Sequence, residues 1–376
     1  MQHTYRIVTL NINGIGNHTR LRMFSEFLHR HDVDIALLQE VTNGDNLAVK
    51  GYQTIVNVGT LGRGTAIIHK PHLKLHRIQR IPTGRGIAAY LGNTCLVNIY
   101  APSGNANRAE REDFFNTEVV ELIPQSPTQL IMGGDFNCVL SNKDCTDNRT
   151  CSRAAGRLTH GLRLKDAWDS NRNPKGYTHY TAHGAARLDR FYLTDDLLAG
   201  KQGAETIAAA FTDHLAVLIR LKLTAPNVHR GRGRWRMNTT LLNDERFRLK
   251  IRDSWEEWKQ HIHRFPDIVQ WWVHYVKQKV KRLFIQEGAE RNADRRRMEE
   301  FYYSAIYDVL QIQESHADKM LKLKKLKAKI VRLNSPYRQR VMIDTEEHDQ
   351  ITGEYPSLHH LLKRRKRQEG RLIRQI

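Results

Sequence analysis

Short apolar segments separated by polar loops extend from residue 5 to about residue 222, and they constrain the fold more than any other feature of the chain. Segments of this length, bounded by turn-forming residues, are typical of β-strands. We predict strands at residues 6–11, 35–39, 64–69, 87–91, 95–100, 129–133, 190–193 and 215–221. Residues 20–31 and 108–122 instead repeat apolar positions at three- and four-residue steps, which predicts helices. The pattern favours an α/β fold, a two-sheet β-sandwich flanked by helices.

The pattern changes after residue 224, where Pro, Gly and Arg replace the apolar periodicity. Beyond this break, apolar spacing predicts helices at residues 243–261, 268–288, 290–333 and 357–368. We therefore predict two domains, an α/β domain at residues 1–224 and a basic, mostly α-helical region at residues 225–376. A cluster of tryptophans between residues 255 and 272 indicates that part of the helical region is packed.

The formal net charge of the chain is +20, and most of the basic excess lies after residue 224. This charge favours a polyanionic partner, either nucleic acid or anionic lipid. No apolar segment approaches the roughly 20 residues that span a bilayer, so we expect no membrane partner. The first predicted strand begins near the amino terminus, which argues against a signal peptide, and the four cysteines lack Cys-x-x-Cys spacing. We expect an intracellular protein with reduced thiols.

Acidic and amide residues stand where several predicted strands give way to loops. They are Asn11, Glu40, Asp135, Asn137, Asp189 and the pair Asp213 and His214. Hard divalent cations bind oxygen ligands, and phosphodiester hydrolysis also requires a positioned water and donors around the phosphoryl oxygens. Each of these residues alone is typical of a turn or of a solvated surface. Together they favour metal-dependent hydrolysis of a phosphate ester.

The order of these segments resembles the endonuclease/exonuclease/phosphatase superfamily. The resemblance is carried by the strand-ending Gln39-Glu40, the block Gly134-Asp135-Phe136-Asn137, and a late Asp189 followed by Thr212-Asp213-His214. Within that superfamily, residues 5–222 resemble the apurinic-type endonuclease domain of LINE-type non-LTR retrotransposons. Thr212 stands where many members have Ser, and no residue of the set is missing. We therefore expect a catalytically competent enzyme.

The resemblance implies a metal site with a single Mg²⁺ or Mn²⁺. Glu40 is its principal carboxylate ligand, and Asn11 and Asp213 lie nearby as direct or water-mediated ligands. Asp135 orients or deprotonates the attacking water, and this choice stays open.

The resemblance also implies four groups around the scissile phosphate. Asn137 holds the phosphate, and Tyr100 steadies the phosphate or the leaving oxygen. His214, supported by a hydrogen bond that its imidazole donates to Asp189, stabilises charge on the phosphoryl oxygens.

Residues between Thr178 and Leu188 resemble the hairpin that such endonucleases place in a DNA groove. The expected nucleic-acid contacts are Arg149, Arg153, Tyr177, Thr178, His183 and Arg187. For Arg149 and Arg153, an ordinary solvated arginine is an equally good interpretation. The small residues at the hairpin tip predict weak readout of base sequence.

The resemblance implies an endonuclease that nicks one strand of double-stranded DNA and leaves 3′-hydroxyl and 5′-phosphate ends, as in target-primed reverse transcription. Three alternatives stay open: an abasic-site repair endonuclease, a phosphoesterase acting on small molecules, and a non-catalytic nucleic-acid-binding module.

Residues 231–242 resemble the segment that follows the endonuclease in LINE-type polyproteins, and residues 353–376 resemble the segment ahead of their reverse transcriptase. The sequence has no Tyr/Phe-x-Asp-Asp block, so we expect a fragment, a truncated element or a stand-alone nuclease, with a reverse transcriptase domain as a partner outside this chain. The basic helical region is a candidate RNA contact. The basic run at residues 363–367 predicts a nuclear import signal, and so a nuclear protein, or a second nucleic-acid contact.

Overall fold

A computed structural model of the chain describes residues 2–16, 18–42, 47–60, 62–123, 129–147, 149–168, 176–224 and 237–334. The predicted helix at residues 357–368, the basic run at residues 363–367 and the segment at residues 353–376 lie outside these ranges. The Arg-rich break at residues 225–236 also lies outside them. The predicted domain boundary after residue 224 therefore stays a prediction.

Two six-stranded sheets carry the architecture of the described residues. The strands are β1 (Gln2–Asn11), β2 (Ile35–Thr42), β3 (Gln53–Val58), β4 (Arg63–His69), β5 (Leu75–Arg80), β6 (Gly86–Leu91), β7 (Thr94–Tyr100), β8 (Gln129–Asp135), β9 (Lys165–Asp166), β10 (His179–Tyr180), β11 (Ala185–Ala186), β12 (Asp189–Leu193), β13 (Lys201–Ala208) and β14 (Leu215–Thr224). The first sheet has the order β13-β14-β1-β2-β4-β3 and the second the order β5-β6-β7-β8-β12-β9. Strands β10 and β11 form a separate antiparallel hairpin.

All eight predicted strands are confirmed. The longer strands that sequence reasoning missed, β3, β5 and β13, each lie at the edge of a sheet. Strand β5 is exposed along most of its length. Edge strands carry polar side chains that discourage pairing with other chains, and this weakens the apolar pattern on which the prediction depended.

The central strands are apolar on both faces because each face is covered. In β1, Ile7 faces the other sheet and Val8 faces the outer helices, and Leu37 and Leu38 of β2 repeat the alternation. Successive side chains of a strand point to opposite faces, so this alternation places one core between the sheets and another outside the first sheet.

The described residues also form α-helices. They are α1 (His18–Arg30), α2 (Arg108–Asn116), α3 (Glu118–Leu122), α4 (Arg153–Gly161), α5 (Asp195–Ala199), α6 (Glu245–Lys259), α7 (Ile268–Gln270), α8 (Lys277–Gln311) and α9 (His316–Asn334). Helices α2, α3 and α4 pack on the second sheet. The helix predicted at residues 108–122 is divided at Thr117, whose φ of −120° and ψ of −76° are not helical. The fold class predicted from the sequence is confirmed.

The carboxyl-terminal helices pack on the first sheet. Ile306 of α8 and Leu323 and Ile330 of α9 belong to the same buried cluster as the side chains of α1 and β1. The buried carboxylate of Glu299 in α8 pairs with Arg30 of α1 and accepts a hydrogen bond from Asn334 Nδ2 at 2.8 Å. Met1–Asn334 form one compact unit.

The predicted helix break near residue 289 is wrong. Helix α8 continues through Gly288, since one glycine in a long helix costs only about 1 kcal/mol. The chain breaks instead after Gln311, and the Ser315 hydroxyl begins α9 by accepting a hydrogen bond from the Asp318 amide at 3.2 Å. Upstream of α8, residues Trp271–Val276 form a π-helical turn. In the described part of the chain, no helix is long and apolar enough to cross a membrane.

Candidate active site

Strand register brings the predicted site residues to one end of both sheets. Asn11 at the end of β1 lies beside Gln39 of the parallel strand β2. In the second sheet, Asp135 ends β8 between Tyr100 of β7 and Asp189 of β12. The polar groups therefore cluster where the carboxyl ends of parallel strands meet, the usual position of sites in α/β folds.

Asn11 links the two sheets at this end. Its Nδ2 donates to Glu40 Oε1 at 3.0 Å and to Asp135 Oδ2 at 2.9 Å, and its Oδ1 accepts from the Asn13 amide at 2.9 Å. Both side-chain atoms of Asn11 are thus engaged within the protein. In this conformation the residue holds two carboxylates together, and a direct bond to a cation would require that it give up one of these contacts.

Glu40 occupies a β-bulge in the pairing of β2 with β4. Its φ of +56° is uncommon for a residue with a side chain, and backbone strain of this kind concentrates at functional sites. The bulge turns the carboxylate to the sheet end, where Oε1 accepts from the Tyr100 hydroxyl at 3.2 Å and Oε2 pairs with Arg63. Burial and the carboxylates of Glu40 and Asp135 raise the pKa of Tyr100 to about 12, so its hydroxyl stays a donor.

His214 and Asp189 form a buried ion pair. The Nδ1 atom of His214 lies 2.8 Å from Oδ2 of Asp189, and both side chains are excluded from solvent. Burial lowers the pKa of His214, but the Asp189 carboxylate and the nearby Asp135 and Asp213 outweigh it and raise the pKa to about 10. The imidazole is therefore a cation at neutral pH, and no described residue forms a hydrogen bond with its Nε2 atom.

Asp135 is fully buried between these groups. Its Oδ1 accepts from the Asn137 amide at 2.9 Å, and burial together with the Asp189 carboxylate raises its pKa. Asn137 has a φ of +48°, and its Nδ2 donates to the Ala101 carbonyl at 2.9 Å. The turn after β8 thus points Asn137 toward the same end of the sheet as Asp135.

Asp213 lies at the open side of the cluster. Its carboxylate is 3.8 Å from His179 Nε2 and 3.5 Å from Asn13 Nδ2. The nearby His179 imidazole and the charge of His214 hold the pKa of Asp213 well below its usual range. The His179 ring lies 4.7 Å from the His214 ring, centroid to centroid.

Sequence reasoning missed three members of the site, His179, Arg63 and Asn13. His179 begins a two-residue strand that no periodicity could reveal. Arg63 begins β4, which was predicted from residue 64, and it reaches the site only because β4 pairs with the bulged end of β2. Asn13 follows Asn11 by two residues and shares its side of the loop, a spacing that could have signalled it.

The residues at this end fit a hard divalent cation. Polar atoms of Asp135, Asp189 and His214 lie within 4.8 Å of one another, as do those of His179, Asp213 and His214, whereas Glu40 belongs to neither group. Because the His214 imidazole is protonated, the carboxylate oxygens are the candidate ligands. Asp189 Oδ1 is buried and has no hydrogen-bond partner among the described residues, an acceptor that a cation or a water could satisfy. Several carboxylate oxygens and one solvent-facing side suit a cation that keeps part of its hydration shell.

The expected nucleic-acid contacts divide into two groups. His183 at the tip of the β10–β11 hairpin and Arg153 at the start of α4 are exposed, and Tyr177 is half-buried beside the hairpin. Arg149 is partly exposed and pairs with both oxygens of Asp147 at 2.9 Å. The predicted hairpin itself is confirmed.

Thr178 is held inside the protein, which corrects the expectation that it contacts DNA, whereas Arg187 is half-buried and its expected contact with DNA stays a prediction. The Thr178 hydroxyl is fully buried and accepts hydrogen bonds from the Leu188 amide at 3.0 Å and the Asp189 amide at 3.1 Å. Arg187 pairs with Asp144 at 3.0 Å and with Asp166 at 2.7 Å. Thr178 thus positions the carboxylate that supports His214, and Arg187 joins the hairpin base to the second sheet.

Residues 8–214 match the model of the Endonuclease/Exonuclease/phosphatase family, which is more than half of the chain. The chain belongs to this family, as the sequence predicted.

Known relatives agree with the assignment. The chain is 27% identical over 360 residues to the transposon TX1 uncharacterized 149 kDa protein of Xenopus laevis, a match covering 89% of this chain. The chain spans 27% of the length of that relative. Among solved structures, a 3′-5′ exonuclease from Neisseria meningitidis is 20% identical with a TM-score of 0.50, covering 58% of this chain and 100% of the exonuclease. That likeness supports the fold, and the predicted resemblance to a transposon protein is confirmed.

Proposed function

We propose that this protein is a divalent-metal-dependent DNA endonuclease that nicks one strand and leaves 3′-hydroxyl and 5′-phosphate ends. The observation that carries the proposal is the buried cluster of Asp135, Asp189 and His214 beside the Asn11–Glu40 pair. His214 is a cationic donor, Asp135 is a carboxylate able to accept a proton, and Glu40 is a further carboxylate for a cation. These three side chains lie together at one open end of the sheets. Membership of the Endonuclease/Exonuclease/phosphatase family supports hydrolysis of a phosphate ester.

His214 lowers the cost of placing more negative charge on an anionic phosphate. Its imidazolium is fixed by Asp189, so the cationic Nε2–H is oriented before the substrate arrives. Tyr100 and Asn137 add neutral donors from β7 and from the turn after β8. Such preorganised donors contribute most where charge develops in the transition state.

Asp135 is the group that we assign to the attacking water. Its raised pKa suits a carboxylate that orients the water and accepts its proton, because proton transfer is most efficient when the base is not too weak. Asn11 and the Asn137 amide keep the carboxylate in one orientation.

Glu40 is the principal residue that would hold Mg²⁺ or Mn²⁺, with Asp213 at the open side and Asn11 behind the carboxylate. The bound cation supplies Lewis-acid charge that offsets the phosphate and the leaving oxygen. In the structure, Arg63 pairs with Glu40 and is about half exposed, so it can move away without uncovering the core.

Duplex DNA is the substrate that charge and surface favour. The net charge is +20, and the exposed His183 and Arg153 lie on elements next to the site. We further propose that the 3′-hydroxyl primes reverse transcription in the nucleus, with RNA and a reverse transcriptase domain as partners. The similarity to a transposon protein supports a role in transposition.

A comparison of three substrates tests the proposed activity. With Mg²⁺, the protein should nick intact supercoiled plasmid at a rate comparable to its cleavage of a duplex with one abasic site, and should leave a phosphoinositide unchanged. Cleavage of the abasic duplex far faster than of the plasmid would assign the protein to repair. Phosphate release from the phosphoinositide without any nicking would assign it to small molecules.

A further inference from the structure

The loop that carries Asp213 and His214 is held by helices outside the family-matched residues. It connects β13 to β14, and its first residues leave the first sheet at Ala208. The Ala208 amide donates to the Tyr307 hydroxyl of α8 at 2.9 Å, and the Thr212 carbonyl accepts a hydrogen bond from Lys327 Nζ of α9. From the nuclease fold itself, Arg20 of α1 donates to the Phe211 carbonyl at 2.6 Å. Helices α8 and α9 therefore contribute hydrogen bonds to this loop, beside those from the nuclease fold.

The ammonium group of Lys327 is directed into the protein. It lies beside a cavity of about 540 Å³ between α8, α9 and the loop, whose lining is mostly apolar and includes Phe211, Leu310, Met320 and Leu323. A charge next to apolar side chains requires a hydrogen-bonding partner, and the carbonyl of Thr212 provides one. By contrast, Lys325 two residues earlier is exposed.

Helix α9 is itself fixed at both sides of Lys327. Leu323 and Ile330 are buried in the core outside the first sheet, one turn before and one turn after it. At the end of the helix, Asn334 is bound to Glu299 of α8, and its carbonyl accepts from Arg22 of α1 at 3.0 Å. The packing of α9 therefore fixes the position of Lys327, whose ammonium group binds the loop through the Thr212 carbonyl.

The Thr212 carbonyl is the atom through which this contact reaches the site. It belongs to the peptide bond that leads into Asp213, and the Thr212 hydroxyl donates to the Asn11 carbonyl at 2.8 Å. A shift of this peptide would move Asp213 and His214 together, away from Asp189 and Asp135.

We infer that Lys327 is a positioning residue for the catalytic loop and that α8 and α9 form part of the catalytic unit. The kinetic part of this inference rests on the proposed nuclease activity. The geometric part, that Lys327 fixes residues 208–214, stands independently of which substrate the enzyme uses.

Three variants of the full chain distinguish positioning of the loop by Lys327 from a general effect of its positive charge. Lys327→Met removes the hydrogen bond and keeps the length of the side chain, Lys327→Arg retains a donor, and Lys325→Met removes an exposed charge from the same helix. Hydrogen exchange of peptides spanning residues 208–214 is measured for each, together with kcat, KM and the salt dependence of plasmid nicking.

We expect Lys327→Met to exchange these amides at least about tenfold faster and to lose roughly 10- to 100-fold in kcat with KM unchanged. Lys327→Arg should recover most of the loss, and Lys325→Met should match the wild type in exchange and kcat. Tyr307→Phe keeps the packing of α8 and should speed hydrogen exchange at the Ala208 amide. This variant tests the contact between the helices and the loop even if Lys327→Met does not fold.

Unchanged exchange and kcat in Lys327→Met would overturn the inference. So would a rise in KM together with a salt slope reduced by about one, because that is the signature of a lost phosphate contact. If the wild type does not nick DNA but Lys327→Met still frees the loop, the proposed function fails and the positioning of the loop stands.

Discussion

At the scale of single residues, the site depends on a histidine kept charged in the protein interior. Burial alone would make His214 neutral, so the Asp189 carboxylate at 2.8 Å determines its charge. The stability of the protein therefore depends on pH. A group whose pKa is raised on folding stabilises the protein fully below its ordinary pKa of about 6.5, and loses that contribution as pH rises towards about 10.

Asp189→Asn should therefore shift the pH dependence of the nicking rate to lower pH. Without the carboxylate, burial dominates and the pKa of His214 falls, so the imidazolium is lost near neutral pH. We expect the variant to lose roughly 100-fold or more in kcat at pH 7.5 and to regain part of it at lower pH. The wild-type enzyme should show no loss of kcat attributable to His214 between pH 7 and pH 9. A variant with the wild-type profile would contradict this account.

Thr178→Val tests the reassignment of Thr178 from a DNA contact to a structural residue. The isosteric change leaves the buried amides of Leu188 and Asp189 without their acceptor. Denaturant unfolding should show a loss of about 1–3 kcal/mol in the free energy of unfolding. The same change at the exposed Thr150 should be neutral. A Thr178 variant of unaltered stability but weaker DNA binding would restore the original assignment.

Several residues predicted to form the site could be found because they follow apolar segments with a strong strand pattern. Asn11, Glu40 and Asp135 all follow such segments, and the carboxyl ends of the strands meet in the structure. His179 and Arg63 could not be found this way, since they reach the site through a short hairpin and through a bulge. Bulges and two-residue strands are set by tertiary contacts, which a single sequence does not record.

At the scale of elements, the close approach of β7 and β8 places Asp135. A Cβ atom at Gly134 would lie 2.0 Å from the Ile99 carbonyl oxygen, so only glycine allows these strands to pair at this register. The residue that follows is Asp135, which lies opposite Tyr100.

Gly134→Ala should consequently separate β7 from β8 and displace Asp135. We expect a loss of stability of about 3 kcal/mol or more and nicking reduced in the protein that remains folded. Gly156→Ala in α4 is the control, because a Cβ there meets nothing within 4 Å. It should leave stability unchanged or raise it by about 0.5–1 kcal/mol. Thermal unfolding compares the two, and equal melting temperatures would refute the packing argument.

The elements that the sequence predicted poorly are those whose ends depend on neighbours. Strands β3, β5 and β13 lie at sheet edges and mix polar with apolar residues, and the boundary between α8 and α9 is set by Ser315 rather than by the glycine at residue 288. The spacing of apolar residues indicates which face of a helix or strand is buried, but it indicates less well where the element begins and ends.

At the scale of the whole molecule, the carboxyl-terminal helices share a core with the first sheet. Ile306 is almost fully buried against it. We expect Ile306→Ala to cost about 2–5 kcal/mol and to lower the midpoint of a single unfolding transition that reports on both the sheets and the helices. Ile312, which is 43% exposed, is the matched control. Two separate transitions, with only the helical one affected, would show that residues 237–334 fold independently.

The most direct test of the account is metal-dependent nicking of supercoiled plasmid by the full chain. Wild type is compared with Glu40→Gln, His214→Ala and, as a control, the exposed His160→Ala. We predict open circles only when Mg²⁺ or Mn²⁺ is present, nicks that a DNA polymerase extends, and losses of roughly 100-fold or more in both site variants but not in His160→Ala. Nicking by Glu40→Gln and His214→Ala at the wild-type rate would contradict the assignment of the site.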